Sequence, residues 1–139
     1  RSYIKRYFFQ FPEMEIFKTE TLEFAQKHGF VRTITGRRCY IKDINSSNYH
    51  LQQFGERQAV NAVIQGSAAD IVKIAMINAS SKLETFCSKM LIQIHDELVF
   101  ETKNEFVEES IPVIKDTMEQ AVKLSVPLKV DVGFASYLK

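Results

Sequence analysis

Three ionisable side chains in succession, His95, Asp96 and Glu97, interrupt a run from Met90 to Phe100 that is otherwise apolar except at Gln93. Charge set among apolar strands is costly unless it meets a metal, a cation or a hydrogen-bond donor, so this acid pair calls for a cationic partner. Before the interruption Met90, Ile92 and Ile94 alternate with Leu91, Gln93 and His95; after it Leu98 and Phe100 alternate with Val99 and Glu101. Both flanks therefore read as strand, and the whole as a tight hairpin with a carboxylate at its tip. The residues alone leave two readings open, a cation-binding site and an ordinary acidic turn, since Asp is a common turn former.

Two further groups could do chemistry. Arg57, Asn61 and Gln65 recur at intervals of four, which places a cation and two amides in one helical stripe. That composition suits the acceptor-rich surface of a nucleic-acid groove, although spacing alone favours a solvated helix face. Arg37 and Arg38 follow Gly36 at the turn between Phe30–Thr35 and Arg38–Ile41, which read as two short strands of a β-ribbon.

The remaining elements must position these groups. Pro12 at a first helical position, Glu13 and Glu15 in the first turn, Lys27 and His28 in the last, and Gly29 beyond them bracket a helix from about Pro12 to His28. Met14, Phe17, Thr21, Phe24 and Ala25 form its expected core face. Ile4–Phe11 reads as the end of another helix, and Ile44–Asn48 as a loop ending in N-cap candidates. From about Ser47 to Leu83 the pattern is helical, with Gly55 and Gly66 dividing it and a bend expected near Gly66. Val60, Val63, Ile64, Ile71, Val72, Ala75 and Met76 are expected to face inward. A further amphipathic helix runs from about Asn104 to Lys123 with a kink at Pro112. Leu128, Val130, Val132 and Phe134 then alternate with polar residues and Gly133, as in a strand lying beside the hairpin.

The 139 residues are 45% hydrophobic, enough for one packed core, and no linker or repeat marks a boundary within 1–139. The fold class expected is α+β. A net charge of +1 makes any nucleic-acid surface a matter of local clustering. Cys39 and Cys87 fit free thiols in a reducing compartment, and no Cys/His spacing resembles a zinc site. No apolar run approaches the roughly 20 residues of a membrane span, and Arg1–Tyr7 does not read as a signal peptide, so no membrane partner is expected.

Glu56–Asp70, followed by Gln93-Ile94-His95-Asp96-Glu97-Leu98, resembles the C-terminal part of a family A DNA polymerase, the family of bacterial polymerase I. The His-Asp-Glu hairpin resembles that family's motif C, the Arg57–Gly66 stripe its helix along the primer–template, and Thr35-Gly36-Arg37-Arg38-Cys39-Tyr40 its Gly-Arg-Arg-x-Tyr ribbon. The similarity extends from Tyr7 to Gly133. Gln65–Lys73 and Ala121–Val126 look closest to the polymerase theta branch. Departures fall at Val63, at Ile41–Lys42, at Pro112 and at a C-terminus lacking a common Trp, none of them catalytic.

The resemblance implies part of a polymerase palm: the antiparallel motif C hairpin, flanking long helices and a β-ribbon. It implies a DNA-directed DNA polymerase that transfers a nucleotide from dNTP to a primer 3′ hydroxyl with two divalent cations, Mg²⁺ or Mn²⁺, in DNA replication or repair. Asp96 would be a metal ligand and Glu97 an auxiliary acid. His95 would touch the primer end, Arg57, Asn61 and Gln65 the minor groove, and Arg37 and Arg38 phosphate or sugar oxygens. The family's second metal-binding Asp and its nucleotide-binding helix have no counterpart here. The chain accordingly reads as a piece that needs the rest of the polymerase and is inactive alone. Localisation follows: intracellular, in a eukaryotic nucleus or a bacterial cytoplasm. The alternatives are a non-catalytic DNA-binding or interaction module and a metal hydrolase using Asp96 and Glu97.

Overall fold

The computed structural model describes residues 2–135. The chain forms two compact units, Arg1–Ser67 and Ala68–Lys139, and the division falls inside a helix, where no change of composition announces it.

In the first unit, helices α1 (Ser2–Gln10) and α2 (Pro12–His28) meet at Phe11, and Tyr7 packs its ring against Phe11 at 5.2 Å. The expected bounds of α2 are borne out. Pro12 opens it, and Gly29, at φ +75°, closes it by donating its N–H to the Ala25 carbonyl at 2.7 Å, in the left-handed conformation that glycine adopts freely. Its core face is narrower than its periodicity suggests. Ala25 is fully buried, whereas Met14 and Phe24 stay exposed. Strands β1 (Phe30–Arg32) and β2 (Arg38–Tyr40) pair antiparallel around a turn closed by Gly36, at φ +85°. The Ile41 N–H then bonds the Gly29 carbonyl at 2.9 Å, and Asn45 reaches the Gln26 carbonyl at 2.8 Å, holding the ribbon and the next loop on α2.

Helix α3 (Tyr49–Leu83) runs 35 residues without a break, and Asn48 caps it by accepting from the N–H groups of His50 and Leu51. The expected long helix is borne out, and Gly55 and Gly66 do not divide it. Both glycines belong to a face of small residues that other chain segments touch directly. A side-chain carbon at Gly55 would stand 2.9 Å from backbone atoms of Asp43 and Ile44, and one at Gly66 would stand 2.9 Å from the Thr33 methyl. At about 100° per residue, Gly55, Ala59, Ala62 and Gly66 fall within about 60° of one another. The core of this unit assembles on that face: Ala25, Val31, Ile41, Ile44 and Ala59, flanked by Leu22, Cys39, Ala62 and Val63. Ile64, expected inward, is 51% exposed because it lies off that face.

The second unit contains the remainder of α3, where buried Ala75, Ala79 and Leu83 recur at intervals of four. A short 3₁₀ turn (Glu84–Phe86) follows, then the hairpin of β3 (Lys89–Ile94) and β4 (Glu97–Glu101). Ser88 and Thr102 join hydroxyls at 2.9 Å across the open end of the hairpin, and Phe86 meets Phe106 edge-on at 6.5 Å. Helix α4 (Val107–Glu119) follows a 3₁₀ turn (Asn104–Phe106) and stops short of the expected Lys123. Pro112 lies within it and brings no N–H for the Glu108 carbonyl.

Two expectations for this unit are corrected. The pairing slips between Met90 and Ile92: Met90 opposes Phe100, Ile92 opposes Val99, and Leu91 is left out as a bulge. Met90 therefore shares a face with Gln93, Leu98 and Phe100, not with Ile92 and Ile94. Nor does Leu128–Phe134 form a strand. The Val130 N–H, which a ladder would require, instead donates to the Glu119 carboxylate at 2.9 Å.

By length and composition alone, Tyr49–Phe86 is apolar enough to cross a membrane, although no unbroken apolar run appears in the sequence. Asp70 and Lys73 lie inside it, and such groups at a bilayer centre cost about 2.5–3.5 kcal/mol each.

A candidate metal-binding hairpin and nucleic-acid interface

The hairpin tip is a two-residue loop. Ile94 and Glu97 form the last pair, which leaves His95 and Asp96 to turn the chain. His95 has φ +54°, a left-handed conformation that L-residues adopt at a cost of about 1–2 kcal/mol. The side-chain amide of Gln93 donates to the His95 carbonyl and fixes the peptide that leads into Asp96. Asp96 and Glu97 are both exposed, and neither has an ion-pair partner among the described residues. Glu97 shares its face with Ile92, Ile94 and Val99. Leu91 is 50%, Ile92 50% and Ile94 44% exposed, so the tip sits on an apolar hairpin that is largely uncovered.

Asp96 and Glu97 offer hard oxygen donors of the kind Mg²⁺ and Mn²⁺ take. The donor chemistry fits a divalent cation and the number of donors falls short of a full site. Among the described residues no group of three or more His, Cys, Asp or Glu side chains converges.

The other predicted site residues lie in the first unit. Arg57, Asn61 and Gln65 are exposed along one stripe of α3, about 130° around the helix from the glycine face. Arg37 is directed at that helix: Nη2 donates to the Gly66 carbonyl at 3.1 Å and Nη1 to Cys39 Sγ at 3.5 Å. Beside it the Ser67 hydroxyl accepts from the Ile34 N–H at 2.9 Å and donates to the Val63 carbonyl at 2.5 Å. Within the turn, the Arg37 N–H donates to the Thr33 hydroxyl at 3.1 Å and the Thr33 N–H to the Arg37 carbonyl at 3.0 Å. The ribbon is thus fastened to α3 at Gly66 and Ser67.

Arg38 lies on the other face, its guanidinium 5.0 Å from the centre of the Phe30 ring. Arg32, which the sequence reading passes over, stands opposite Arg38 in the register and 5.6 Å from the same ring. The signal was present: positions 32 and 38 flank the turn symmetrically. Gln93 was missed likewise, although it stands two residues before the histidine whose carbonyl it holds.

The sequence model of DNA polymerase family A matches residues 1–139. The chain belongs to that family. DNA polymerase I of Lactococcus lactis subsp. lactis is 44% identical over 133 residues, covering 94% of this chain and 15% of its own length. The Bacillus caldotenax enzyme is 44% identical over 137 residues, 97% of this chain and 16% of its own length. The thermostable DNA polymerase I of Thermus thermophilus is 40% identical over 132 residues, 95% of this chain and 16% of its own length. Among solved structures, the POL domain of Pol1 from M. smegmatis, in complex with DNA primer-template and dNTP, superposes with a TM-score of 0.90 at 39% identity. That match covers 94% of this chain and 23% of the other. The chain therefore spans 15–16% of the length of these family A relatives and shares the mixed helix-and-hairpin fold of the polymerase domain.

Proposed function

We propose that this chain is the part of a DNA polymerase that carries the motif C hairpin and contacts to primer–template. The polymerase adds nucleotides from dNTP to a primer 3′ hydroxyl. The observation that carries the reading is the pair of adjacent carboxylates, without an ion-pair partner among the described residues, at a hairpin tip whose His95 is left-handed, in a chain of polymerase family A. Two adjacent negative charges repel, and an energetically costly turn conformation tends to persist at functional sites.

Asp96 would be the metal ligand and Glu97 the auxiliary acid, with Mg²⁺ or Mn²⁺ as the ion. When bound, two such cations supply activation of the primer hydroxyl and neutralisation of phosphate charge. Since two carboxylates cannot complete such a site, the remaining ligands are assigned to other parts of the polymerase, and the segment alone is expected to be inactive. His95, its peptide held by Gln93, would contact the primer terminus. Arg57, Asn61 and Gln65 would donate to the minor-groove acceptors common to every base pair, testing pair geometry without reading sequence. Arg37 and Arg38 are assigned to the backbone side of the DNA, Arg38 through phosphate contact and Arg37 chiefly by holding the ribbon on α3. The work of such an enzyme, replication or repair, places it with the genome, in a nucleus or a bacterial cytoplasm. The theta-branch affinity rests on residues 65–73 and 121–126 alone.

The test is Asp96→Asn in the intact protein. Metal-dependent primer extension should vanish while affinity for primer–template persists; substantial extension by the variant would remove Asp96 from the metal site.

A further inference from the structure

Two arginines directly opposite each other on an isolated two-stranded ribbon are an unfavourable choice, because like charges across a strand pair repel. Arg32 and Arg38 are such a pair. Both are exposed, and neither has a carboxylate partner among the described residues. What holds them is one aromatic ring: their guanidinium carbons lie 5.6 and 5.0 Å from the centre of Phe30. Phe30 is itself fixed, by Phe24 edge-on at 5.6 Å and by Tyr40 at 5.7 Å. The opposite face of the ribbon, Val31 and Cys39, turns into the core, so the arginine face is the outward one. Tyr40, 73% exposed, continues that face.

We infer that Arg32 and Arg38 together form a binding site for a backbone phosphate of DNA, with Arg32 as its second cation. This rests on the proposed polymerase reading. A ring over which both guanidinium groups are held keeps their planar forks ordered before binding, and arginine forks match the oxygens of a phosphate. One phosphate between them converts a repulsive pair into two attractive contacts. The surface is a ribbon flanked by an exposed tyrosine rather than a closed pocket, which suits a phosphate belonging to a strand running across it. Arg37 is the less suitable second cation, because it already donates to Gly66 and Cys39.

The experiment is equilibrium binding of the intact protein to fluorescein-labelled primer–template across a series of KCl concentrations, with the melting temperature of each variant measured alongside. Losing the phosphate contact altogether, in the double variant Arg32→Gln, Arg38→Gln, should lower the slope of log K against log salt by about 0.7–0.9. Arg32→Gln alone is expected to show part of that loss, to the same extent as Arg38→Gln, while Arg32→Lys retains most of the slope. An Arg32→Gln protein whose slope equals that of the parent overturns the inference, whether or not its melting temperature falls. So does a variant that changes only the KM for dNTP, which would assign the pair to the nucleotide. Failure of the parent protein to bind primer–template would overturn the polymerase reading itself, an outcome distinct from a parent that binds and an Arg32 variant that matches it.

Discussion

The guanidinium of Arg37 and the main-chain carbonyl of Gly66, 29 residues apart in sequence, are joined by an N–H···O bond of 3.1 Å. A carbonyl inside a helix retains a second lone pair after its helical bond, and a ribbon arginine uses it here. With the Ile34–Ser67 bond alongside, this makes the ribbon and the helix one piece. Arg37→Ala should therefore lower stability by about 1 kcal/mol, the value of a partly exposed charged hydrogen bond. Denaturant titration checks it, and an unchanged midpoint would mean that the bond contributes nothing in solution.

Gly66→Ala should be destabilising although alanine is the better helix former by about 1 kcal/mol. The added methyl would lie 2.9 Å from Thr33 Cγ2 and 3.3 Å from Arg37 Nη2. Crowding of that kind costs about 1–3 kcal/mol, so the clash outweighs the propensity. Thr33→Ser deletes the offending methyl and keeps the hydroxyl that accepts from the Arg37 N–H. In that background Gly66→Ala should become neutral or stabilising in thermal denaturation.

His95→Gly should leave stability equal or raise it by about 1 kcal/mol, because glycine occupies the left-handed region without strain. Primer extension should fall in the same variant if the imidazole contacts the primer end. Retention of both stability and full extension rate would show that the histidine is there for neither.

Gln65→Ala, on the exposed stripe, should slow extension from a matched terminus about tenfold, corresponding to a lost hydrogen bond of about 1–1.5 kcal/mol, and should change discrimination against mismatches. Single-nucleotide insertion kinetics on matched and mismatched primers measure both. If neither moves, the minor-groove assignment is mistaken.

What was legible in the sequence was whatever local rules control. Pro12 and Gly29 fixed the ends of α2, and the polar break at His95-Asp96-Glu97 located the hairpin tip. Features set by distant partners were hidden. Gly55 and Gly66 look like helix breakers until Asp43 and Thr33 are seen against them. Leu91 carries no mark of the bulge that moves Met90 to the other face. Leu128–Phe134 alternates like a strand, yet the Val130 N–H is taken by a carboxylate from α4. Within the candidate site, residue identity revealed the acids and the amide stripe. The division of labour between Arg37, facing the helix, and Arg32 with Arg38, facing outward, emerged only from the register.

The two glycines of α3 should leave different traces in evolutionary history. At Gly66 the obstacle is a threonine methyl, so a lineage could exchange the pair in two steps through serine at position 33, and the two sites should drift together. At Gly55 the obstacle is the main chain of Asp43 and Ile44, which every amino acid shares. No second mutation in a side chain can make room there, so that glycine, once fixed, has no epistatic exit.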